Sequence, residues 1–251
     1  MGSAASRQDA LPRYTADQLN CSRFLERSVS EIRTESGRQS RLVTVDRDGL
    51  LTLLARGSAP PVEIEAWYDS LAVVQRSGDS TTVPDTDGLL GGRFRGTLEP
   101  GGRYYPSARP FVPDEVAEVS DPAAALDDFF PRLPPHRLRP GQRWSDSAGL
   151  TLTRLQDSAG TGIERYSLQS RRESREAVPQ GDTVPVALRQ MSVEQGDFLW
   201  DPVRGLLRRR REIAIETSVP AGGRVRQAVR SRIVQRITAE RVAPPDSSVC
   251  R

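Results

Sequence analysis

A single histidine, two cysteines and a few closely spaced carboxylates are the side chains through which this chain could do chemistry. His136 is its only histidine, the one side chain type that titrates near neutral pH without perturbation. Asp127 and Asp128 lie near enough in sequence to orient it. A histidine-dependent nucleophile also needs a serine or cysteine within hydrogen-bond reach, and no G-x-S-x-G elbow is present. Its setting, "FFPRLPPHRLRPGQRW" (129–144), reads instead as a proline loop with an exposed histidine. Glu63, Glu65 and Asp69 could supply the paired acids of a glycosidase. They alternate with Val62, Ile64, Ala66 and Tyr68, which marks them as the wet side of a half-buried strand. "VDRDGLL" supplies Asp46, Asp48 and Gly49 but lacks the terminal glutamate of a calcium loop, so a hairpin turn at Asp46–Gly49 is expected there. Neither a Walker motif nor a G-x-G-x-x-G between strand and helix occurs. One histidine and no C-x-x-C leave no zinc set. No catalytic residue, metal or cofactor is expected, and a hydrolase is only a remote alternative.

Charge is the more distinctive feature. All 36 basic residues are arginine and Asn20 is the only asparagine; because lysine and asparagine share A-rich codons, this points to a GC-rich genome. The pI of 9.2 then overstates a formal charge of only +3. The distribution is uneven: residues 1–125 carry 14 Arg against 18 acids, and residues 204–251 carry 12 Arg against 4. In a strand, Arg208 and Arg210 point away from Arg209 and Arg211. The first two could join Arg226, Arg230, Arg232 and Arg236 in one basic surface. That surface would suit an anionic partner, or would simply be a solvated sheet face. It lacks the interleaved aromatics of a single-stranded nucleic-acid platform, so no specific nucleic-acid signal is read.

These residues must be positioned by β-structure. From Ser22 onward, short apolar alternations and glycine turns recur, and no run approaches the roughly 18 apolar residues that span a bilayer. Thr15 and Gln18 suggest a capping box for a helix at about 15–20. Asp121-Pro122 opens a second short helix over 122–130. Residues 131–141 form a proline-rich connector, which cannot be a central strand. The pattern then repeats from Trp144. "FLWDPVRGLL" turns a long hairpin at Asp201–Gly205, and "VRQAVRSRIVQRITAERV" is its neighbour, with Val225, Val229, Ile233 and Ile237 on one face. β-Branching at that stripe favours a strand over a helix. A five-residue loop over 219–223 would set Glu216 opposite Arg226, Glu212 opposite Arg230 and Arg210 beside Arg232. The reading is an all-β, mainly antiparallel fold: a curved sheet or half-barrel of two related halves with one or two short helices. Its parts are a leader or expression remnant (1–14, with no signal-peptide stretch and only a loose myristoylation spacing at Gly2 and Ser6), a first β-half (15–130), the connector (131–141), a second β-half (142–243) and a tail (244–251). Cys21 and Cys250, near the two ends, suggest a disulfide tying them together as in exported proteins; two unrelated thiols is the alternative.

The turn at 198–207 and the mid-chain "FPRLPP…RPGQRW" resemble features of bacterial envelope proteins with the LolA/LppX-like half-barrel, and of uncharacterised exported families built as two related β-halves. The resemblance implies an exported, periplasmic or envelope protein, often lipid-anchored, whose curved sheet holds helix and loop segments or a lipid-like ligand. Cys21 has no lipobox before it, so anchoring is not read here. The expected function is non-enzymatic binding of a hydrophobic or amphipathic ligand, with Ile64, Tyr68, Val229 and Ile233 among the lining residues. The alternative is a structural or interaction module that docks an anionic partner through its arginine face.

Overall fold

The first strand of the chain lies beside the last. The computed structural model describes residues 11–57, 59–118, 120–157, 162–180, 183–221 and 227–244. Within them, a short helix α1 (Ala16–Leu19) precedes β1 (Ser22–Ser36), β2 (Gln39–Arg56), β3 (Val62–Ser77), β4 (Ser80–Thr82), β5 (Phe94–Leu98) and β6 (Tyr104–Ala108). A second short helix, α2 (Asp114–Ala117), leads into a connector. The chain then continues through β7 (Arg143–Ser145), β8 (Leu150–Arg154), β9 (Glu164–Gln180), β10 (Thr183–Asp201), β11 (Gly205–Val219) and β12 (Val229–Val242). All belong to one antiparallel sheet in the order β6-β5-β3-β2-β1-β12-β11-β10-β9-β8-β7, with β4 paired to β3. Each half is a meander, and the two halves meet where β1 pairs with β12 from Arg23↔Val242 to Ser36↔Val229.

The sheet is curled. Nine strand spacings of about 4.8 Å would hold β6 and β8 roughly 43 Å apart if it were flat. Tyr104 of β6 and Leu150 of β8 nonetheless line one small cavity with Phe130. The sheet therefore wraps around its contents as an open half-barrel. Those contents come from the connector, which leaves one edge of the sheet, crosses its inner face and rejoins the other edge. Phe129 packs edge-on against Phe24 and Phe130, with ring centroids 5.1 Å apart in both cases. Tyr14 packs edge-on against Phe130 and Trp200 at 5.4 and 5.0 Å, and its hydroxyl donates to the Pro131 carbonyl at 3.2 Å. Gly102, at φ +84°, passes so close to the Pro131 carbonyl that a Cβ would sit 2.2 Å from it, so only glycine fits. The proline stretch is thus a crossing strap, and its apolar residues Leu126, Phe129, Phe130, Leu133 and Leu138 are buried in the core. His136 is exposed upon it.

Three local expectations are corrected. Asp46–Gly49 is not a turn but the middle of β2. The turn lies earlier, at Gly37-Arg38, where Ser36 pairs with Gln39 and Gly37 takes φ +59°, as a two-residue hairpin with glycine first requires. Gly49 is needed for another reason: the Tyr68 ring lies over it, and a Cβ would come within 2.8 Å of that ring. Asp46 pairs instead with Arg76 of β3, and Asp48 with Arg27 of β1 at 3.5 Å. The helix expected over 122–130 is a 3₁₀ turn at Pro122–Ala124, continued by single turns such as Phe129 N–H to the Leu126 carbonyl at 3.2 Å. The carbonyls of Asp128 and Phe129 point to Arg209 rather than along a helix. The β11–β12 register differs as well: Glu216 lies opposite Arg232, Glu212 opposite Arg236, and Arg210 opposite Thr238. Loop parity is preserved, and β12 must satisfy a second register with β1, where Ile32 faces Ile233.

Candidate ligand-binding cleft

Strand alternation gives the inner face of the four central strands a graded chemistry. On β1 the inward residues are Phe24, Glu26, Ser28, Ser30 and Ile32; on β2 they are Leu51, Gly49, Arg47, Val45 and Val43. On β11 Arg209, Arg211, Ile213 and Ile215 point the same way, beside Ala239, Ile237, Gln235 and Ile233 of β12. Between this surface and connector residues 120–129 runs a cleft of about 360 Å³. Its mouth is apolar: Val43, Ile32, Ile233 and Ile215 stand side by side across β2, β1, β12 and β11 and are half-buried. Its floor is charged. Glu26 and Arg47, 3% and 9% exposed, form a buried ion pair. Burial works against the Arg47 charge, but Glu26 outweighs it and holds that pKa above its ordinary value. Beside the pair, the buried Tyr68 hydroxyl has no hydrogen-bond partner among the described residues, and burial pushes its pKa up.

Across the floor, Arg209 and Arg211 clamp the strap. Arg209 Nη1 donates to the Phe129 carbonyl at 2.7 Å and also to that of Asp128. Arg211 Nη1 reaches the Asp128 carbonyl at 3.2 Å. Glu194 of β10 lies 2.6 Å from Arg211 Nε and 3.7 Å from Arg209. Two guanidiniums that are only 7% and 8% exposed therefore share one partly buried carboxylate, the other nearby acid, Asp128, being 76% exposed and 3.7 Å from Arg211. Burial and the adjacent Arg211 push the Arg209 pKa down to about 9, against the opposing pull of Glu194 and Asp128. Arg209 Nε is buried without a hydrogen-bond partner among the described residues.

Of the four lining residues expected, the structure brings only Ile233 into this cleft. Ile64 and Tyr68, 2% and 1% exposed, belong to the closed core. Val229 ends β12, between Ser36 and Val219. Three of the six basic residues expected on one surface are ion-paired on the outer face: Arg208 with Asp197 at 3.5 Å, Arg232 with Glu216 at 3.7 Å, and Arg236 with Glu212 and Glu31 at 3.0 and 3.2 Å. Arg210 and Arg230 have no ion-pair partner among the described residues, and Arg226 lies outside them. Cys21, at φ 53°, is not a free thiol; Cys250, the partner expected for it, lies outside the described residues. The residues that sequence reasoning missed are Glu26, Arg47, Arg209 and Arg211. Their signal was present in the same-face runs Arg209-Arg211-Ile213-Ile215 and Val43-Val45-Arg47, where a charge continues an apolar stripe.

No helix among the described residues is long and apolar enough to cross a membrane. No family model and no curated protein matches the sequence. Among solved structures, the fold is similar to that of lipovitellin, in a structure describing lipid–protein interactions, with a TM-score of 0.52 and 12% identity. The match covers 90% of this chain and 26% of lipovitellin, and at that identity the likeness speaks to the fold alone.

Proposed function

We propose that this chain is a non-enzymatic binding protein that takes an amphipathic, lipid-like ligand on the inner face of its half-barrel, beneath the connector. The observation that carries the reading is the cleft itself: apolar side chains at the mouth, buried charge at the floor, and a volume of about 360 Å³, within the roughly 300–1,000 Å³ typical of small-molecule sites. Lipovitellin, whose fold this chain resembles, is described for its lipid–protein interactions, and a sheet of that kind is compatible with such a ligand. An exported, envelope location of the LolA/LppX-like kind is part of the proposal, and a Cys21–Cys250 disulfide would fit it. The alternative, an anionic partner docked on the outer arginines, is weakened by the pairing of Arg208, Arg232 and Arg236 with acids of the same face.

Native mass spectrometry of protein made in a bacterial periplasm, followed by organic extraction, tests this reading. A stoichiometric lipid-like adduct is expected, and Ile233→Glu abolishes it. A protein that stays free of adduct when offered lipid extracts would sink the proposal.

A further inference from the structure

Resting on that reading, we infer that the ligand is a single-chain anion, its oxyanion head completing the Arg209–Arg211 pair and its alkyl chain lying over Ile213, Ile215 and Ile233 toward the mouth. Three features of the cleft argue for it. The two guanidiniums are nine-tenths buried, and of the two acids beside them among the described residues Glu194 is partly shielded while Asp128 is 76% exposed, so solvent screens part of their compensation and an anion in the cleft would complete it. Arg209 Nε is a buried donor without an acceptor among the described residues, and a desolvated donor left unmatched is costly. Ile213 and Ile215 continue the same face of the same strand outward, so a molecule whose head meets the arginines must lay its tail along them. The cleft volume of about 360 Å³ is near the lower end of the roughly 300–1,000 Å³ range for ligand sites, which favours one alkyl chain over two. Charge complementarity and size thus select the occupant. A carboxylate and a phosphate monoanion share the required chemistry, and binding data tell them apart.

The test is calorimetric titration of the full chain, stripped of lipid, with palmitate, 1-palmitoyl-lysophosphatidylglycerol and 1-hexadecanol, each below its micellar concentration. At least one anion is expected to bind roughly ten- to a hundredfold tighter than the alcohol, and whichever binds tighter identifies the head as carboxylate or phosphate. Glu194→Gln removes the competing carboxylate and should increase that preference, whereas Arg211→Gln should reduce it. A merely structural role for the cluster would move both variants the same way. If Arg211→Gln fails to fold, Glu194→Gln decides alone: no gain in anion preference overturns the inference. Equal binding of all three amphipaths overturns the anionic head while leaving lipid binding intact. Binding of none, the alcohol included, defeats the underlying lipid reading.

Discussion

The two ends of the half-barrel are built on opposite plans. At the closed end, all eleven strands of the path wrap around Tyr14, Phe24, Phe129, Phe130 and Trp200, every one of them buried. At the open end only the long strands continue, and their inward residues, such as Ser30, Ile32, Thr34 and Ser36 of β1, stay half exposed. One sheet thus holds a filled core and an unfilled cleft, and the strap divides them. Where the strap supplies aromatic side chains, the sheet has an interior; beyond it, the same strands offer only their own faces. The buried ions lie at the border, where a charge can be surrounded by protein on one side and face a cavity on the other.

This contrast can be broken by substitution. The largest effect is expected from Phe129→Ala, which empties the closed end and should cost about 3–5 kcal/mol by chemical denaturation, against about 2 kcal/mol or less for half-exposed Ile233→Ala. Equal losses would mean that the open end is as firmly packed as the closed one. Glu26→Gln leaves Arg47 buried and unpaired, at a cost of roughly 3–5 kcal/mol. Replacing both with Glu26→Leu and Arg47→Met should recover most of that; failure of the double variant to recover would show that the pair is needed as a pair.

A smaller effect is expected at the Asp201 turn. Burial raises the Asp201 pKa, but amide hydrogen bonds from Val203 and Arg204, with the Arg204 guanidinium, outweigh it and hold the carboxyl below its ordinary 3.8. The folded pKa is therefore depressed. The stability it contributes is fully present above about pH 3.8 and lost as pH falls through the folded value. Asp201→Asn should be less stable than the parent at neutral pH, with the difference closing in acid. A gap that stays constant with pH would exclude this origin. The smallest effect belongs to the outer face: Arg236→Gln should barely move the denaturation midpoint, and what shift there is should vanish at high salt.

The sheet was legible in the sequence because period-two alternation is a local signal, and Val62-Ile64-Ala66 or Ile213-Ile215 declare a face without help from elsewhere. Prolines exclude a strand over 131–141, and among the described residues none is found between β6 and β7. The Asp46–Gly49 misreading shows the limit: Gly49 is small because Tyr68, on the neighbouring strand, lies over it, and no local rule distinguishes that from a turn. The β11–β12 register was missed for a similar reason, since β12 also pairs with β1, far away in the chain. The site suffered most. Ile64 and Ile233 have the same residue type and the same alternation, yet the strap's path leaves one in the core and the other at the mouth.

The pairing of β1 with β12 has a consequence for how the chain folds. Each meander can form from near neighbours, but the central pairing joins residues such as Arg23 and Val242, which carries the greatest loop-closure entropy in the molecule. Until that step, each half presents a bare strand edge to every other copy in solution, the situation in which sheets aggregate. The edges concerned are studded with charge: Arg27, Glu31 and Arg33 on β1, and Arg230, Arg232 and Arg236 on β12. The arginines that form ion pairs across the finished sheet would earlier act as gatekeepers of its unfinished seam. Pulsed hydrogen exchange during refolding should then find the β1–β2 amides protected before those of β1–β12, and simultaneous protection would rule the sequence out.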